Sequence, residues 1–282
     1  MKIFITGSSG FVGQNLVQYY TTRGHEVYAF RREEALRDCL VQFKPDIIIN
    51  SAAEIYDADL MFAPNIVFVQ IILEYVRSCT HWCRFVQIGS SSEYGPTDHA
   101  TAEDEVLKPV DFYQATKGAA TLLCQGWARF LNLPVWIVRP YSVYGPGERP
   151  HRLFPRLYRA FNYAEPMTLY QGYHDFIYIN DFVRGIDSVL QKWDLPPGDI
   201  VNFGSGHQTS NFDLLDIWIK ATGKTDAPVA KVAEMRKAFE NAVWVCDTTK
   251  TTQLGFECEY NLEDGIRDFL LKAKYDRAED SN

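Results

Sequence analysis

The sequence predicts an α/β fold in which a doubly wound parallel sheet carries helices on both faces. Short apolar runs at 2–6, 47–50 and 85–88 alternate with segments whose apolar residues recur at helical spacing. The first run leads into Gly-Ser-Ser-Gly-Phe-Val-Gly at 7–13, and a helical pattern follows at once. Strand, glycine-rich turn and helix in this order are typical of a fold that binds a dinucleotide.

Composition and charge limit the kind of partner. The chain has 282 residues, enough for one large domain or two interlocked ones, and a formal net charge of -8. Because general nucleic-acid binders are usually basic, we expect no nucleic-acid partner. No apolar run approaches the roughly 18 residues of a membrane span, and the N-terminus lacks a signal-peptide pattern. We therefore expect a cytoplasmic protein without a membrane contact.

The six cysteines are scattered along the chain, and in a reducing compartment they are expected to be buried thiols. Cys79, His81 and Cys83 are close enough in sequence to suggest a zinc site. No second pair of ligands stands at the spacing of a zinc finger. The sequence therefore predicts no metal.

The glycine-rich turn has the spacing that a dinucleotide requires. Its first glycine permits a tight turn, the second lets the backbone approach the pyrophosphate, and the third lets the helix pack on the strand. The phosphates would then face N–H groups at the positive end of the helix. Small residues after the strand at 47–50, Ala52 and Ala53, leave room for the cofactor ribose. The residues assigned to the phosphate site are Gly7, Ser9, Gly10, Phe11, Val12 and Gly13.

The end of the second strand, at 24–30, bears on the choice between NAD and NADP. An acid commonly follows this strand where the ribose hydroxyls of NAD are bound, but here Arg31 and Arg32 follow it. A guanidinium pairs well with a 2′-phosphate, so the sequence favours NADP over NAD. Glu33 or Glu34 could still reach the ribose.

Tyr113 and Lys117 stand four residues apart in a helical segment and therefore share one helix face. A lysine ammonium near a phenol stabilises the phenolate, which would lower the tyrosine pKa from about 10 toward neutral pH, where a general acid or base is effective. The pair alone is weak evidence, because this spacing often arises by chance. The interpretation of the pair as catalytic is supported by the glycine-rich turn and by a serine run at 90–92, which follows an apolar stretch.

Together these features resemble the extended short-chain dehydrogenase/reductase family of nucleotide-sugar epimerases, dehydratases and reductases. The resemblance covers nearly the whole chain and implies a Rossmann fold with a smaller C-terminal substrate lobe. It implies that Ser90, four residues before Tyr94, is the catalytic hydroxyl that hydrogen-bonds a sugar oxygen. It also implies that Tyr113 transfers the proton, and that Lys117 tunes the tyrosine and binds ribose. Ser91 is left open as a substrate contact.

Two departures from the family pattern change this picture. The segment between the second strand and the run at 47–50 looks helical, so the family's third strand is expected to be missing and the sheet to be one strand short. In the dehydratases an Asp or Ser and then a Glu follow the catalytic hydroxyl, and the Glu removes the proton next to the transient ketone. Here Ser91 and Ser92 hold those positions. Glu93 follows one residue later and is expected to point elsewhere, which disfavours dehydration.

The C-terminal half carries the candidate substrate contacts. Segment 139–146 resembles the family's Arg-Pro-x-Asn-x-Tyr-Gly-Pro turn, where the nucleotide-sugar site begins, but Ser142 stands in place of the Asn. Arg149 and Arg152 follow and are candidate partners for a diphosphate, with a solvated basic loop as the alternative. His174 replaces an arginine that usually contacts the substrate phosphates, so either this site is rearranged or the substrate is not the usual nucleotide-diphosphate sugar.

The predicted dinucleotide-binding domain comprises 1–140 and 176–203, and the predicted substrate lobe comprises 141–175 and 204–276. A frayed tail is expected at 277–282. The resemblance also implies a homodimer through the helices at 65–79 and 113–130.

From these features we predict an NADP-dependent reductase of a 4-keto-6-deoxy sugar nucleotide, with Tyr113 as the proton donor. The alternatives within the enzyme class are a nucleotide-sugar 4-epimerase that retains NAD and a sugar-nucleotide dehydratase. A module that senses NADP without chemistry is the non-enzymatic alternative. It is disfavoured because such a module would be expected to have a degraded tyrosine–lysine pair.

Overall fold

The centre of the molecule is a parallel sheet of six strands. The computed structural model describes residues 1–191, 194–235 and 243–276. The strands are β1 (Lys2–Thr6), β2 (Glu26–Ala29), β3 (Ile47–Asn50), β4 (Arg84–Ile88), β5 (Val135–Pro140), β6 (Ser142–Tyr144), β7 (Met167–Gln171), β8 (Tyr173–Tyr178), β9 (Ile200–Phe203), β10 (Gln208–Ser210) and β11 (Val229–Met235). The order in the central sheet is β2-β1-β3-β4-β5-β9, and each neighbouring pair is parallel.

Helices cover both faces of this sheet. They are α1 (Phe11–Thr22), α2 (Leu36–Phe43), α3 (Ala58–Phe62), α4 (Phe68–Ser78), α5 (Phe112–Leu131), α6 (Leu153–Tyr163), α7 (Ile179–Gln191), α8 (Asn211–Thr222), α9 (Thr249–Gln253) and α10 (Leu262–Lys272). One apolar core contains α1 and α7, and a second contains α2, α4 and α5. The strands between these cores are buried on both faces, as β3 is at all four residues. The doubly wound parallel sheet predicted from the sequence is confirmed.

The sheet is one strand short, as predicted. Among the described residues no strand pairs with the outer edge of β2. After α2 the chain reaches β3 through only Lys44, Pro45 and Asp46. Lys44 ends α2 in the left-handed conformation, with φ of 53°, and its N–H donates to the carbonyl of Leu40 at 2.9 Å. Pro45 cannot continue the helix, so the chain turns directly into β3.

The helix that follows β3 begins earlier than the sequence predicts. The sequence suggests a start at Asn65, but the helix begins at Ala58 and passes through a π turn at Ala63–Val67 into α4. Asp57 caps the start by accepting the N–H of Asp59 at 3.0 Å. The prediction is wrong because the Asn65 side chain makes tertiary contacts and does not cap a helix. The second predicted helix, at 113–130, matches α5 closely.

The segment Ala58–Ser78 has the length and apolar composition of a membrane span, contrary to the expectation that no segment approaches this length. Its buried residues, among them Val69, Ile72 and Val76, pack in the second apolar core against the sheet. Core helices meet the same criteria of length and composition, and the packing of α4 accounts for its apolar residues.

A smaller lobe contains two short sheets, β10-β8-β6 and β11-β7, packed with α6, α8 and α10. Its core is aromatic: the Phe154 ring stacks on Tyr144 with centroids 4.2 Å apart and meets Trp218 and Phe269 edge-on at 5.9 Å. The domain boundaries predicted from the sequence remain a prediction. Strand β8 crosses the predicted boundary between residues 175 and 176. The predicted frayed tail, 277–282, lies outside the described residues.

Candidate active site

The floor of the site is a row of hydrogen-bonded side chains at the carboxyl ends of β1, β3 and β4. The hydroxyl of Thr6 donates to the amide oxygen of Asn50, whose nitrogen donates to the oxygen of Gln87 at 2.7 Å. The Gln87 nitrogen in turn donates to the carbonyl of Ile88 at 2.9 Å. All three polar side chains are buried. Because each partner is satisfied by the next, the row joins three strand ends into one rigid edge.

The glycine-rich turn lies directly above this edge. Gly7 has φ of +63°, and a Cβ there would lie 2.6 Å from the backbone nitrogen of Ala52. A Cβ at Gly13 would lie 2.0 Å from the carbonyl oxygen of Gly7, so only glycine lets α1 approach the turn.

The start of α1 fits an anionic ligand. Gly10 is its N-cap residue and provides no side-chain cap, so N–H groups of the first turn, which contains Phe11 and Val12, remain available to a ligand. Ser9 is exposed at the tip, and Ala52 and Ala53 follow β3 beside it. These residues have the conformation and space that the pyrophosphate and ribose of a dinucleotide require, and their role in binding remains a prediction.

The end of β2 presents two exposed arginines, Arg31 and Arg32. The carboxylate of Glu34 accepts the N–H of Arg31 and the hydroxyl of Tyr28, both at 2.7 Å. These bonds, with that from Tyr28 the larger influence, hold the pKa of Glu34 below its usual value. Glu34 therefore anchors the loop and is not held toward a ribose. Glu33 is exposed.

The serine run forms a tight 3-10 turn, Ser91–Tyr94, after β4. The Ser90 hydroxyl accepts the N–H of Ser92 at 3.2 Å and lies 2.7 Å from the Ser92 hydroxyl. Its own N–H donates to the Glu93 carboxylate at 2.8 Å, which completes a capping box. Ser92 thus belongs to the turn, and Ser91 is buried.

Glu93 points into the protein, as predicted. Its carboxylate accepts the Arg139 guanidinium at 2.9 Å and the Thr121 hydroxyl at 2.8 Å, and both charged side chains are buried. Burial raises the pKa of Glu93 although the Arg139 charge opposes the rise. The carboxylate therefore serves as a structural anchor between the serine turn, α5 and β5.

Tyr113 faces the serine turn from the first turn of α5, where Asp111 caps the helix by accepting the N–H of Gln114 at 2.8 Å. Burial raises the pKa of Tyr113 to about 12, while a hydrogen bond from the Ser90 hydroxyl acts to lower it. Ser90 and Tyr113 are thus brought together as the resemblance implies.

Lys117 corrects one expectation. Its ammonium donates to the carbonyl of Ile88, at the end of β4, and burial lowers the pKa of Lys117 to about 8. The expected fall in the pKa of Tyr113 is therefore wrong for this structure, because desolvation of the phenol dominates and Lys117 is engaged with the backbone. The lysine instead ties α5 to the hydrogen-bonded floor of the site.

Asn65 joins the π turn to the same helix, a role that the sequence did not reveal. Its amide nitrogen donates to the hydroxyl of Thr116 at 2.9 Å, and its oxygen accepts the N–H of Glu54 at 2.9 Å. Asn65 is almost fully buried. The one available signal was a Pro64-Asn65 pair inside an otherwise apolar helical run, and π turns often occur at functional sites.

Three of the predicted substrate residues, Ser142, His174 and Arg152, interact with one another. The Ser142 hydroxyl lies 3.2 Å from Nδ1 of His174. Burial, reinforced by the charge of Arg152, lowers the pKa of His174 to about 4, so the imidazole is neutral at pH 7. The charge of the same arginine also acts to lower the pKa of Tyr113.

Glu148 supports this arginine and was missed by sequence reasoning. Its carboxylate is buried and lies 3.6 Å from Nε of Arg152. Burial raises the pKa of Glu148 to about 7, against the lowering effect of Arg152. Arg149 is also exposed, and its guanidinium lies 5.6 Å from the centre of the Tyr56 ring.

Residues 3–204 match the family described as the NAD dependent epimerase/dehydratase family. The chain belongs to this family. It is 28% identical to the low-salt glycan biosynthesis protein Agl12 of Haloferax volcanii over 94% of the chain and 96% of that protein. The resemblance inferred from the sequence is thereby confirmed, as are the enzyme class and its dependence on a nicotinamide dinucleotide.

Solved structures of epimerase/dehydratase enzymes share the fold. The dTDP-glucose 4,6-dehydratase of Bacillus anthracis, in complex with NAD, superposes with a TM-score of 0.85 at 20% identity and covers 100% of this chain and 98% of its own. The UDP-glucuronic acid 4-epimerase of Bacillus cereus, in complex with UDP-glucuronic acid and NAD, gives 0.83 at 24% identity, with 96% and 98% covered. The same fold is thus found in a dehydratase and in an epimerase.

Proposed function

We propose that this enzyme transfers a hydride between NADP(H) and C4 of a nucleotide-diphosphate sugar, and that its main direction is reduction of a 4-keto-6-deoxy sugar. The observation that carries the proposal is the proximity of the Ser90 hydroxyl to the Tyr113 phenol, at the strand ends that face the glycine-rich turn. The bound cofactor supplies the hydride. The side chains of this chain then have only to position the carbonyl and to deliver one proton.

The protonation state of Tyr113 favours reduction. With a pKa of about 12, the phenol stays protonated at neutral pH and can donate to a carbonyl oxygen as negative charge develops on it. The proton is present below this pKa and is lost only as the pH rises through it. Ser90 offers the same oxygen a second hydrogen bond, which is worth about 2–4 kcal/mol at the transition state.

The substrate side is cationic and polar. Arg152 pairs with buried Glu148 and acts electrostatically on both Tyr113 and His174, and Arg149 is a second exposed arginine in the same loop. Guanidinium groups suit a diphosphate, and neutral His174 with Ser142 can hydrogen-bond sugar or phosphate oxygens. A nucleotide-diphosphate sugar fits this arrangement, and the Bacillus cereus enzyme is seen with UDP-glucuronic acid.

Dehydration is disfavoured because Glu93, the acid nearest to the position used for proton abstraction, is buried in its ion pair with Arg139. The 4-epimerase is the second candidate, supported by the fold shared with the Bacillus cereus 4-epimerase.

One assay separates the three activities. Purified protein is incubated with NADPH and dTDP- or UDP-4-keto-6-deoxyglucose, and NADPH absorbance and sugar products are followed. We expect stoichiometric NADPH consumption. An epimerase would instead copurify with tightly bound NAD(H) and interconvert C4 epimers without added cofactor, and a dehydratase would form the 4-keto sugar from dTDP- or UDP-glucose. Either result would overturn the reductase.

The preference for NADP rests on Arg31 and Arg32. Glu34 is turned back onto Tyr28 and the Arg31 backbone, so no acid among these residues is held toward the ribose. Replacing Arg31 by Asp is expected to weaken NADP binding by a factor of roughly 10–100, as loss of one charge-assisted bond implies, and to improve NAD binding. Calorimetric titration of both cofactors measures the change.

Arg37→Ala is the control for the cofactor experiment, because Arg37 is an exposed arginine on α2 that pairs with Glu74. An NADP-to-NAD affinity ratio that stays the same in Arg31→Asp would remove the arginine from cofactor selection.

We further propose a homodimer through α4 and α5. The outer face of α5 carries exposed apolar and small residues at helical spacing: Ala115, Ala119, Leu122, Gly126 and Phe130. Leu122 is 61% exposed and Phe130 is 88% exposed, which is costly for large apolar side chains unless a partner covers them.

We also propose a cytoplasmic location. The six cysteines are free thiols, which suits a reducing compartment.

Leu122→Asp is expected to convert the dimer to a monomer, because two buried carboxylates would face each other across the symmetric interface. Light scattering coupled to gel filtration measures the mass. Leu271→Asp, at another exposed leucine on α10, is the control and should not change the mass. A wild-type monomer, or a dimer that persists in Leu122→Asp, would contradict this interface.

A further inference from the structure

Three metal-binding side chains meet in the turn between α4 and β4, far from the serine turn. Cys79, His81 and Cys83, here called the Cys-His-Cys turn, each bring one ligand atom to within 4.8 Å of the other two. The sequence argued against a metal because no second ligand pair stands at the spacing of a zinc finger. The folded turn brings three donors together by itself, so a second ligand pair is not required.

The local backbone explains why these side chains converge. Cys79 ends α4 in an extended conformation, so the chain reverses and Cys83 is buried just before β4 begins. Cys79 and Cys83 stand at the two ends of the turn, and His81 stands at its middle. His81 and its neighbour Trp82 are exposed, so one side of the cluster is open to solvent.

His81 has the orientation of a metal ligand. Its Nε2 lies 3.0 Å from the carbonyl oxygen of Pro45, and since a carbonyl only accepts, Nε2 carries the hydrogen. The neutral ring then has its lone pair on Nδ1. A backbone carbonyl that fixes the tautomer in this way is the usual outer partner of a ligating histidine.

We propose that the Cys-His-Cys turn binds one Zn²⁺ through two thiolates and one imidazole, with water in the fourth position. Zinc prefers these ligands, and bonds of about 2.0–2.3 Å in a tetrahedron place them roughly 3.3–3.8 Å apart. Small side-chain rotations close the cluster from its present separations. Binding deprotonates both thiols and releases two protons to solvent.

The position of the turn keeps this ion away from the reacting groups. The turn precedes β4, whereas Ser90 follows it, and a five-residue strand separates them by about 16 Å. Bound zinc would join the end of α4 to the start of β4, and through His81 to Pro45 ahead of β3. It would stabilise the folded protein without taking part in hydride transfer.

The test measures zinc directly. Protein prepared without chelators or a histidine tag is loaded with Zn²⁺, freed of excess metal and analysed for bound zinc by mass spectrometry. We expect about one zinc per chain and a higher unfolding temperature with zinc than after chelation. In His81→Ala and Cys83→Ser the zinc affinity should fall at least 100-fold, since loss of even an outer partner costs 10–100-fold.

Matched variants keep the result interpretable. His81 is exposed, so His81→Ala should fold even if Cys83→Ser does not. Cys39→Ser is the control, because Cys39 is a half-buried thiol outside the cluster, and it should keep full zinc binding. Cobalt in place of zinc should give thiolate charge-transfer absorbance in the wild type and in Cys39→Ser only.

Two outcomes would overturn the site. The proposed ligand set would be wrong if the wild type bound no zinc. It would also be wrong if His81→Ala bound as much zinc as the wild type. An intact mass two hydrogens below that expected, with Cys79 and Cys83 joined in a disulfide under the same reducing conditions, would assign the two thiols to a bond with each other. Neither outcome bears on the reductase assay, which does not involve this turn.

Discussion

Replacing Tyr113 by Phe is expected to lower kcat by a factor of about 10²–10⁴, the usual contribution of a general acid. The substitution removes the phenol oxygen that faces Ser90 and leaves the ring that packs at the start of α5. Cofactor affinity should stay within a few fold, because the glycine-rich turn and the start of α1 bind the phosphates. Steady-state kinetics and cofactor titration on the same preparation separate the two effects.

Tyr260→Phe is the control for this experiment, since it removes the hydroxyl of a half-buried tyrosine in the substrate lobe. It should leave kcat within a few fold. If Tyr113→Phe turned over at the wild-type rate, Tyr113 would have no part in proton transfer. The reductive mechanism proposed above would then be wrong at its first step.

Replacing Glu93 by Ala is expected to destabilise the protein by about 3–5 kcal/mol, because it leaves the Arg139 guanidinium buried without its partner. The Thr121 hydroxyl and the Ser90 N–H lose their acceptor as well. Unfolding in urea, followed by circular dichroism, measures the change. Asp216→Ala removes an exposed carboxylate that pairs with Lys231 and should cost less than about 1 kcal/mol.

The Glu93 experiment also tests the dehydratase alternative. If Glu93 removed a proton from substrate, Glu93→Gln would abolish turnover of dTDP- or UDP-glucose and leave the unfolding midpoint nearly unchanged. If Glu93 instead serves as the buried partner of Arg139, Glu93→Gln should clearly lower the stability of the protein. A stable and inactive Glu93→Gln variant would restore dehydration as the proposed reaction.

The fold class and the positions of the candidate site residues along the chain could be predicted from local sequence. Gly7 and Gly13 could be predicted because each solves a steric problem within a few residues of itself, and the missing strand could be predicted because Pro45 leads straight into an apolar run. Ser90 and Tyr113 lie 23 positions apart, yet both could be named as candidates because each has a fixed position in a family motif.

Contacts between distant segments account for what the sequence did not reveal. The engagement of Lys117 with Ile88 depends on how closely α5 packs against β4, and no spacing rule contains that distance. The burial of Glu148 beside Arg152 depends on the fold of the smaller lobe. The rise in the pKa of Tyr113 has the same origin, because desolvation is a property of the assembled cleft.

The π turn at Ala63–Val67 constrains the length of the chain in this region. A π turn holds one residue more than the α-helical turn it replaces, and each residue of an α-helix advances about 100° around the axis. Removing one residue here would yield a regular helix from α3 to α4, but it would swing Asn65 a quarter turn or more away from Thr116. Insertions and deletions within these five positions should therefore disrupt the contact between Asn65 and α5.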